Sequence, residues 1–125
     1  MIQLVYVSVA AEQLSESQVI DLRAQAQKNN ARDEITGILV TQSGRFMQAI
    51  EGPQSTVEDT FLRIIVDPRH HSLALLSRRS IVKREFGEWE MWHCRALKDC
   101  PLGIENFTTL LRSASADMQQ TFLRC

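Results

Sequence analysis

The stretch ITGILVTQSGRFMQAIEGP, residues 35–53, carries two alternating apolar patterns on either side of Gln42-Ser43-Gly44. A short polar link between β-branched runs is a hairpin signal, and it predicts strands over 35–41 and 45–51. Along the second strand, Phe46, Gln48 and Ile50 share one face, while Met47, Ala49 and Glu51 share the other. Glu51 marks its own face as the wetter one, which turns Gln48 inward. A buried primary amide has two donors and an acceptor oxygen. Leaving part of that unpaired costs about 1–3 kcal/mol. Either a neighbouring side chain or a ligand must satisfy Gln48.

Working outward, residues 2–9 alternate and are rich in valine, which predicts a first strand. Ser15 and Gln18 form a capping-box pattern before an amphipathic helix over 16–28, with Val19, Ile20, Leu22, Ala24 and Ala26 on its apolar side. Asn29-Asn30 is the expected helix end, since asparagine tolerates the left-handed backbone. A second capping box, Ser55 to Glu58, opens another helix in which Val57, Phe61, Ile64 and Ile65 form one face. Pro68 closes it. Strands are expected over 73–82 and 88–95. A helical tail then breaks at 113–116.

The resulting order, β-α-β-β-α-β-β plus a tail, is an α+β pattern. Its first six elements match the ferredoxin-like split βαβ arrangement, with both helices on one sheet face and the first and third strands adjacent at the centre. The tail supplies Phe107, Leu110, Leu111, Met118, Phe122 and Leu123. Val5, Val7 and Val9 make the sheet's second face apolar, so the tail either covers that face or joins another subunit.

The chain has 125 residues, 44% hydrophobic and 23% charged, with a formal net charge of −1. One domain is expected, and no general attraction to nucleic acid. No apolar run is long enough to cross a bilayer. The start MIQLVYVSVA runs straight into a strand pattern instead of a signal peptide, making the cytoplasm the expected compartment. Cys94, Cys100 and Cys125 lack metal-ligand spacing and read as free thiols. His71 and His93 read as surface or locally bonded histidines.

Polar groups converge on the helix side of this sheet. If Tyr6 and Gln48 both face the helices, neighbouring strands bring phenol and amide within roughly 5–8 Å at the backbone, with Ser8 nearby. The pair then either fixes strand register or faces a ligand. Asn29 and Asn30 add amides at the end of the first helix. Arg63, Asp67 and Arg69 crowd the end of the second. Together these describe a slot with an apolar floor, convergent amides and cations at its mouth, suited to a flat polar heterocycle carrying phosphate.

From about residue 2 to 94 the chain resembles the BLUF family of blue-light sensors that use FAD. The resemblance rests on LVYVS, KNN followed by ITGILV, GRFMQAIEGP, RIIVDPRHH and REFGEWEM, in that order. The spacings from Tyr6 and from Asn30 to Gln48 are also similar to the family's. FMQAIEG stands where FLQVLEG is more familiar, and the glutamine is kept.

The resemblance implies FAD held non-covalently between the two helices in a BLUF-like domain, residues 1–96, followed by a helical extension, 97–125. Tyr6 is then the redox-active phenol and Gln48 the amide between it and the flavin. Asn29 and Asn30 hold the pyrimidine edge. Ser8, Phe46, Arg63, Ile64, Asp67, Arg69 and His70 complete the cofactor-binding set. Trp89 and Met91 match the residues whose positions are linked to signalling, while Trp92 reads as a packing residue.

The implied photocycle passes an electron and then a proton from Tyr6 by way of Gln48, recombines, and leaves Gln48 rotated, tautomerised or both. It involves no enzymatic turnover. With no room for an output domain, the signal is expected to reach an unidentified downstream protein, and a homo-oligomer is expected. The alternatives are a small phosphate-handling enzyme that uses Arg63 or Arg69 as an anion clamp, and a light-independent interaction module.

Overall fold

Strand β1 (Ile2–Ala10) runs between β3 (Arg45–Gly52) and β4 (His70–Ser80), antiparallel to both. The structure, a computed structural model, describes residues 1–11, 15–86, 92–94 and 104–123. The five-stranded sheet has the order β4-β1-β3-β2-β5, where β2 is Thr36–Gln42 and β5, Trp92–Cys94, lies parallel to β2. β1 and β3 are therefore central neighbours, as the ferredoxin-like pattern requires. His93 on β5 also shares a 2.7 Å hydrogen bond with Thr41.

Ser43 and Gly44 both have positive φ, 50° and 75°, giving the β2–β3 turn the left-handed backbone that keeps a short hairpin twisted. Gly37 is needed for a different reason. A Cβ there would lie 2.2 Å from the carbonyl oxygen of Ala49 on the neighbouring strand. That atom is ladder backbone and cannot yield cheaply. Gly37→Ala should cost about 3 kcal/mol, the upper end for overpacking, read as a lower urea midpoint at unchanged slope.

Helix α1 (Glu16–Asp33) begins with the Ser15/Gln18 capping box in place. It runs past Asn29-Asn30, where the sequence suggested an end, and closes at Glu34 in the left-handed region, whose N–H donates to Asn30 O. Asn30 stays helical and buried. Of the expected apolar side, Val19, Leu22 and Ala26 are half-buried, whereas Ile20 and Ala24 face solvent.

Helix α2 (Gln54–Ile65) corrects the second capping-box expectation. Its N-cap is Pro53, and no side chain caps it. The helix starts one residue before Ser55, placing that serine inside the first turn. Val57 is fully buried and Phe61 and Ile64 half-buried, while Ile65 is exposed. β4 begins at His70, earlier than the alternation suggested, and Val82 lies outside it, fully exposed.

Two cores sandwich the sheet. Ile2, Leu4, Leu39, Phe46, Ile50 and Val57 pack with Leu22, Ala26, Phe61 and Ile64 of α1 and α2. On the other face, Val5, Val7, Ile38, Val40, Met47 and Ala49 pack against Phe107 and Leu111 of α3 (Ile104–Leu111) and Met118 and Phe122 of α4 (Ala116–Leu123). Phe86 and the buried, reduced Cys94 belong to the same cluster.

The Glu51 face is thus not the wetter one. Glu51 is itself completely buried, because four hydrogen-bond donors converge on its carboxylate. Gln48 still points to the helix side, since alternation alone places it opposite Glu51.

Candidate functional site

A cleft with about 900 Å³ of empty space, including its open mouth, lies between α1, α2 and the sheet. Its floor is built on β1, β2 and β3 by Tyr6, Leu39, Phe46, Gln48 and Ile50. Tyr6 and Gln48 are direct partners in the antiparallel ladder. Directly opposed residues on adjacent strands stand close enough for a phenol and an amide to interact. Gln48 is half-buried and Tyr6 almost wholly buried, with the Tyr6 ring 5.7 Å from Phe61 and 6.5 Å from His70.

The walls come from Leu22, Gln25, Ala26, Asn29 and Asn30 on α1, and Thr60, Arg63 and Ile64 on α2. Asp67, Arg69 and His70 complete the rim. Every sequence-chosen binding residue therefore lines the cleft except Ser8. That serine is buried behind it, with Oγ 2.8 Å from His70 Nδ1. His70 Nε2 lies 2.6 Å from the carbonyl of Ile64 and donates to it, so a neutral ring accepts from Ser8 at Nδ1. The ring thereby ties the end of α2 to β1. Trp89 and Met91 lie outside the described residues, as does the side chain of Trp92.

Gln25, Ala26, Leu22, Thr60, Leu39 and Ile50 were not assigned to the binding site from sequence. The signal for the helical ones was present: 22, 25, 26, 29 and 30 form an i, i+3, i+4, i+7, i+8 stripe. Leu39 is the β2 partner of Gln48, which only the register reveals.

Residues 1–92 match the family model described as sensors of blue-light using FAD, named BLUF. The chain belongs to the BLUF family. Photoactivated adenylate cyclase subunit beta of Euglena gracilis is 33% identical over 89 residues, which is 70% of this chain and 10% of that protein. This BLUF chain thus spans about a tenth of the curated relatives' length. The dark-state structure of the BLUF protein BlrB superposes with a TM-score of 0.73 at 26% identity, covering 95% of this chain and 81% of that one. A bacterial light-regulated adenylyl cyclase reaches the same TM-score at 32% identity, covering 90% of this chain and 32% of that one.

The BLUF cofactor is FAD, and the cleft fits a flavin. Leu22, Ala26, Leu39, Ile50 and Ile64 offer apolar surface for a planar ring, while the amides of Gln25, Asn29, Asn30 and Gln48 line the same space. This BLUF chain is accordingly a flavin-binding blue-light sensor module. Among its described residues no helix is long and apolar enough to cross a membrane.

Charge at the mouth differs from the sequence expectation of two available cations. Arg63 donates to Asp33 at 2.9 Å and to Thr60 at 3.1 Å. Arg69 pairs with Asp67 at 2.5 Å and reaches Gln25 at 3.2 Å. Each arginine is held by a carboxylate, so the rim is closer to neutral than the sequence suggested. Hydrogen bonding from Arg69 holds the Asp67 carboxyl below its usual range. Burial, followed by the Asp67 charge, pushes the Tyr6 phenol far above its ordinary value. Tyr6 is therefore a neutral phenol at any working pH.

Asp33 is lowered from 3.8 to about 2 by hydrogen bonds from Arg32 first and then Arg63. A depressed carboxyl stabilises the fold above its unfolded value and loses that contribution as pH falls through its folded value. The Arg63–Asp33 tie between α1 and α2 is complete above about pH 4 and lost toward pH 2. Thermal unfolding of Asp33→Asn should come slightly below wild type at pH 7, a modest difference because the Arg63 side of the pair is solvent-screened. Between pH 4 and 2 the variant should lose less stability than wild type does.

Proposed function

We propose that the protein is a blue-light photoreceptor in which Tyr6 and Gln48 form the switch. The observation that carries this reading is their direct pairing on the two central strands at the floor of a cleft lined by apolar side chains and amides. The bound oxidised flavin supplies, once excited by blue light, an acceptor for one electron and one proton. Tyr6 gives the electron. A neutral phenol that loses an electron becomes strongly acidic, so its proton must leave with it, and burial leaves few routes. Gln48 offers both an accepting oxygen and a donating nitrogen beside Tyr6. It relays the proton and comes to rest rotated, tautomerised or both. Recombination restores Tyr6 without net chemistry, and the altered hydrogen bonds are the signal.

Asn29 and Asn30 hold the polar edge of the ring, Ile64 and Phe46 pack against it, and Ser8 acts through His70. Arg63, Asp67 and Arg69 border the mouth. Residues 1–96 are the sensing domain and 97–125 a helical extension, of which α3 and α4 pack on the sheet. The output is contact with a downstream protein in the cytoplasm, with self-association, rather than turnover of a substrate. A phosphate-handling enzyme lacks a specific observation in its favour, since Arg63 and Arg69 are both engaged by carboxylates.

The test is the visible spectrum of protein purified in dim red light, before and after a blue pulse. A flavin spectrum that shifts slightly red and relaxes in darkness is the expected result. Bleaching in place of a shift would keep FAD but reject the Gln48 switch. A colourless protein that fails to take up added FAD would remove the light-sensing reading.

A further inference from the structure

Glu51 lies three residues beyond Gln48 on β3, on the opposite face of the sheet, and is completely buried. Its two oxygens divide their partners in a regular way. Oε1 accepts from Thr36 Oγ1 at 3.0 Å and from the Phe86 N–H at 2.8 Å. Oε2 accepts from Gln3 Nε2 at 3.2 Å and from the Glu85 N–H at 3.0 Å. Each oxygen thus joins one flanking strand, β2 or β1, to one amide of the segment that crosses this face.

All four partners donate, which suits an acceptor-only carboxylate. Arg84 reinforces the arrangement. Its Nη1 donates to Thr36 Oγ1 at 3.0 Å, directing the threonine proton to Glu51, and also reaches the Glu51 carbonyl at 3.2 Å. Its Nη2 donates to the Glu34 carbonyl at 2.7 Å. Next to these bonds the Phe86 ring is buried, 6.1 Å from the ring of Phe107 on α3. A buried carboxylate is costly unless fully satisfied, and an apolar residue would fill the space more cheaply. The carboxylate gathers three strands and both amides of 85–86 at one point, beside the Arg84 contacts and a direct bond from Gln3 Nε2 to Glu85 Oε2 at 2.8 Å.

We propose that Glu51 is the positioning residue that ties the state of Gln48 to residues 84–86 and, through Phe86, to α3. This rests on the photoreceptor reading above. Gln48 and Glu51 share β3, and their ladder partners share strands too: Tyr6 and Gln3 on β1, Leu39 and Thr36 on β2. Any shear of β3 that follows a change at Gln48 alters the Gln3 and Thr36 contacts to Glu51. Because each oxygen is shared, such a change moves an amide of 85–86 as well.

The test is amide hydrogen exchange of the full FAD-loaded chain in darkness and under continuous blue light. In wild type, the amides of Glu85, Phe86 and α3 should differ between light and dark by roughly two- to thirty-fold, the range for couplings carried by such networks. Glu51→Gln replaces one accepting oxygen by a donor facing other donors. It should keep the flavin red shift and bring the light-to-dark ratio in α3 close to parity. A merely structural Glu51 would lower the melting temperature and leave that ratio at its wild-type value, which overturns the proposal.

If Glu51→Gln does not fold, wild type alone decides: unchanged exchange at 85–86 in light overturns the latch. A wild-type protein with a red shift but silent 85–86 amides rejects only the latch. One with no red shift rejects the photoreceptor reading and the latch together.

Discussion

Tyr6→Phe should bind FAD, stay yellow and show no reversible red shift after a blue pulse. The substitution removes one oxygen from a ring that is 3% exposed and packed 5.7 Å from Phe61. The shape of the floor is kept, so cofactor binding should survive. What is lost is the one group among the cleft's described lining residues that can surrender an electron and a proton together. Phenylalanine has no acidic hydrogen to release on oxidation, so charge separated by light returns without shifting any proton through Gln48.

Gln48→Leu should give the same spectral outcome for a complementary reason. Leucine is similar in size but carries neither donor nor acceptor, so Tyr6 keeps its electron source role without a relay. The two variants together separate the donor from the relay. Transient absorption should still detect Tyr6 oxidation in Gln48→Leu and not in Tyr6→Phe. A wild-type red shift in either variant would remove the Tyr6–Gln48 mechanism.

The helix-side half of this molecule is legible in sequence because it follows period-two and period-3.6 patterns. Alternation in 2–9 and 45–51 places Tyr6 and Gln48 on one side, and the ladder pairs them directly. The opposite face was misread at Glu51. A single acid in a strand is usually solvated, and nothing local distinguishes this one. Its donors come from Gln3, Thr36 and two amides of 85–86, groups up to 48 positions away in the chain. Only tertiary structure assembles them.

Ser55 and Asn29-Asn30 show a different limit. Both carry valid terminus chemistry, but each terminus was decided by a neighbour. Pro53 holds the cap position of α2, and Glu34 adopts the left-handed backbone that closes α1. Asn30 thereby stays helical and on the cleft wall, a placement that a capping rule hides. The charges at the mouth were misjudged similarly. Arg63 and Arg69 are recognisable as cations near a helix end, but Asp33 approaches Arg63 only through the packing of α1 on α2.

Phe122→Ala should lower stability by about 3–5 kcal/mol, a large share of the 5–15 kcal/mol typical of a folded domain. Phe122 is 1% exposed and packs in the cluster that includes Val5, Val7, Met47 and Ala49. Those four residues occupy the back of the same strands that carry Tyr6 and Gln48. With α3 and α4 in place their apolar surface is removed from water, and without that cover an open antiparallel face of valine and methionine meets solvent. The loss should appear as a single cooperative transition at a lower urea midpoint, with flavin release tracking unfolding. If α3 and α4 were an appendage independent of the sheet, Phe122→Ala would melt them first and leave the flavin-bound core with its wild-type midpoint. A two-step transition of that kind would divide the chain into separate folding units, and it would also make the route from Glu51 through Phe86 to α3 energetically empty. A single shifted transition would instead place the sensing face and the tail in one unit, which any signal leaving Gln48 through the sheet requires.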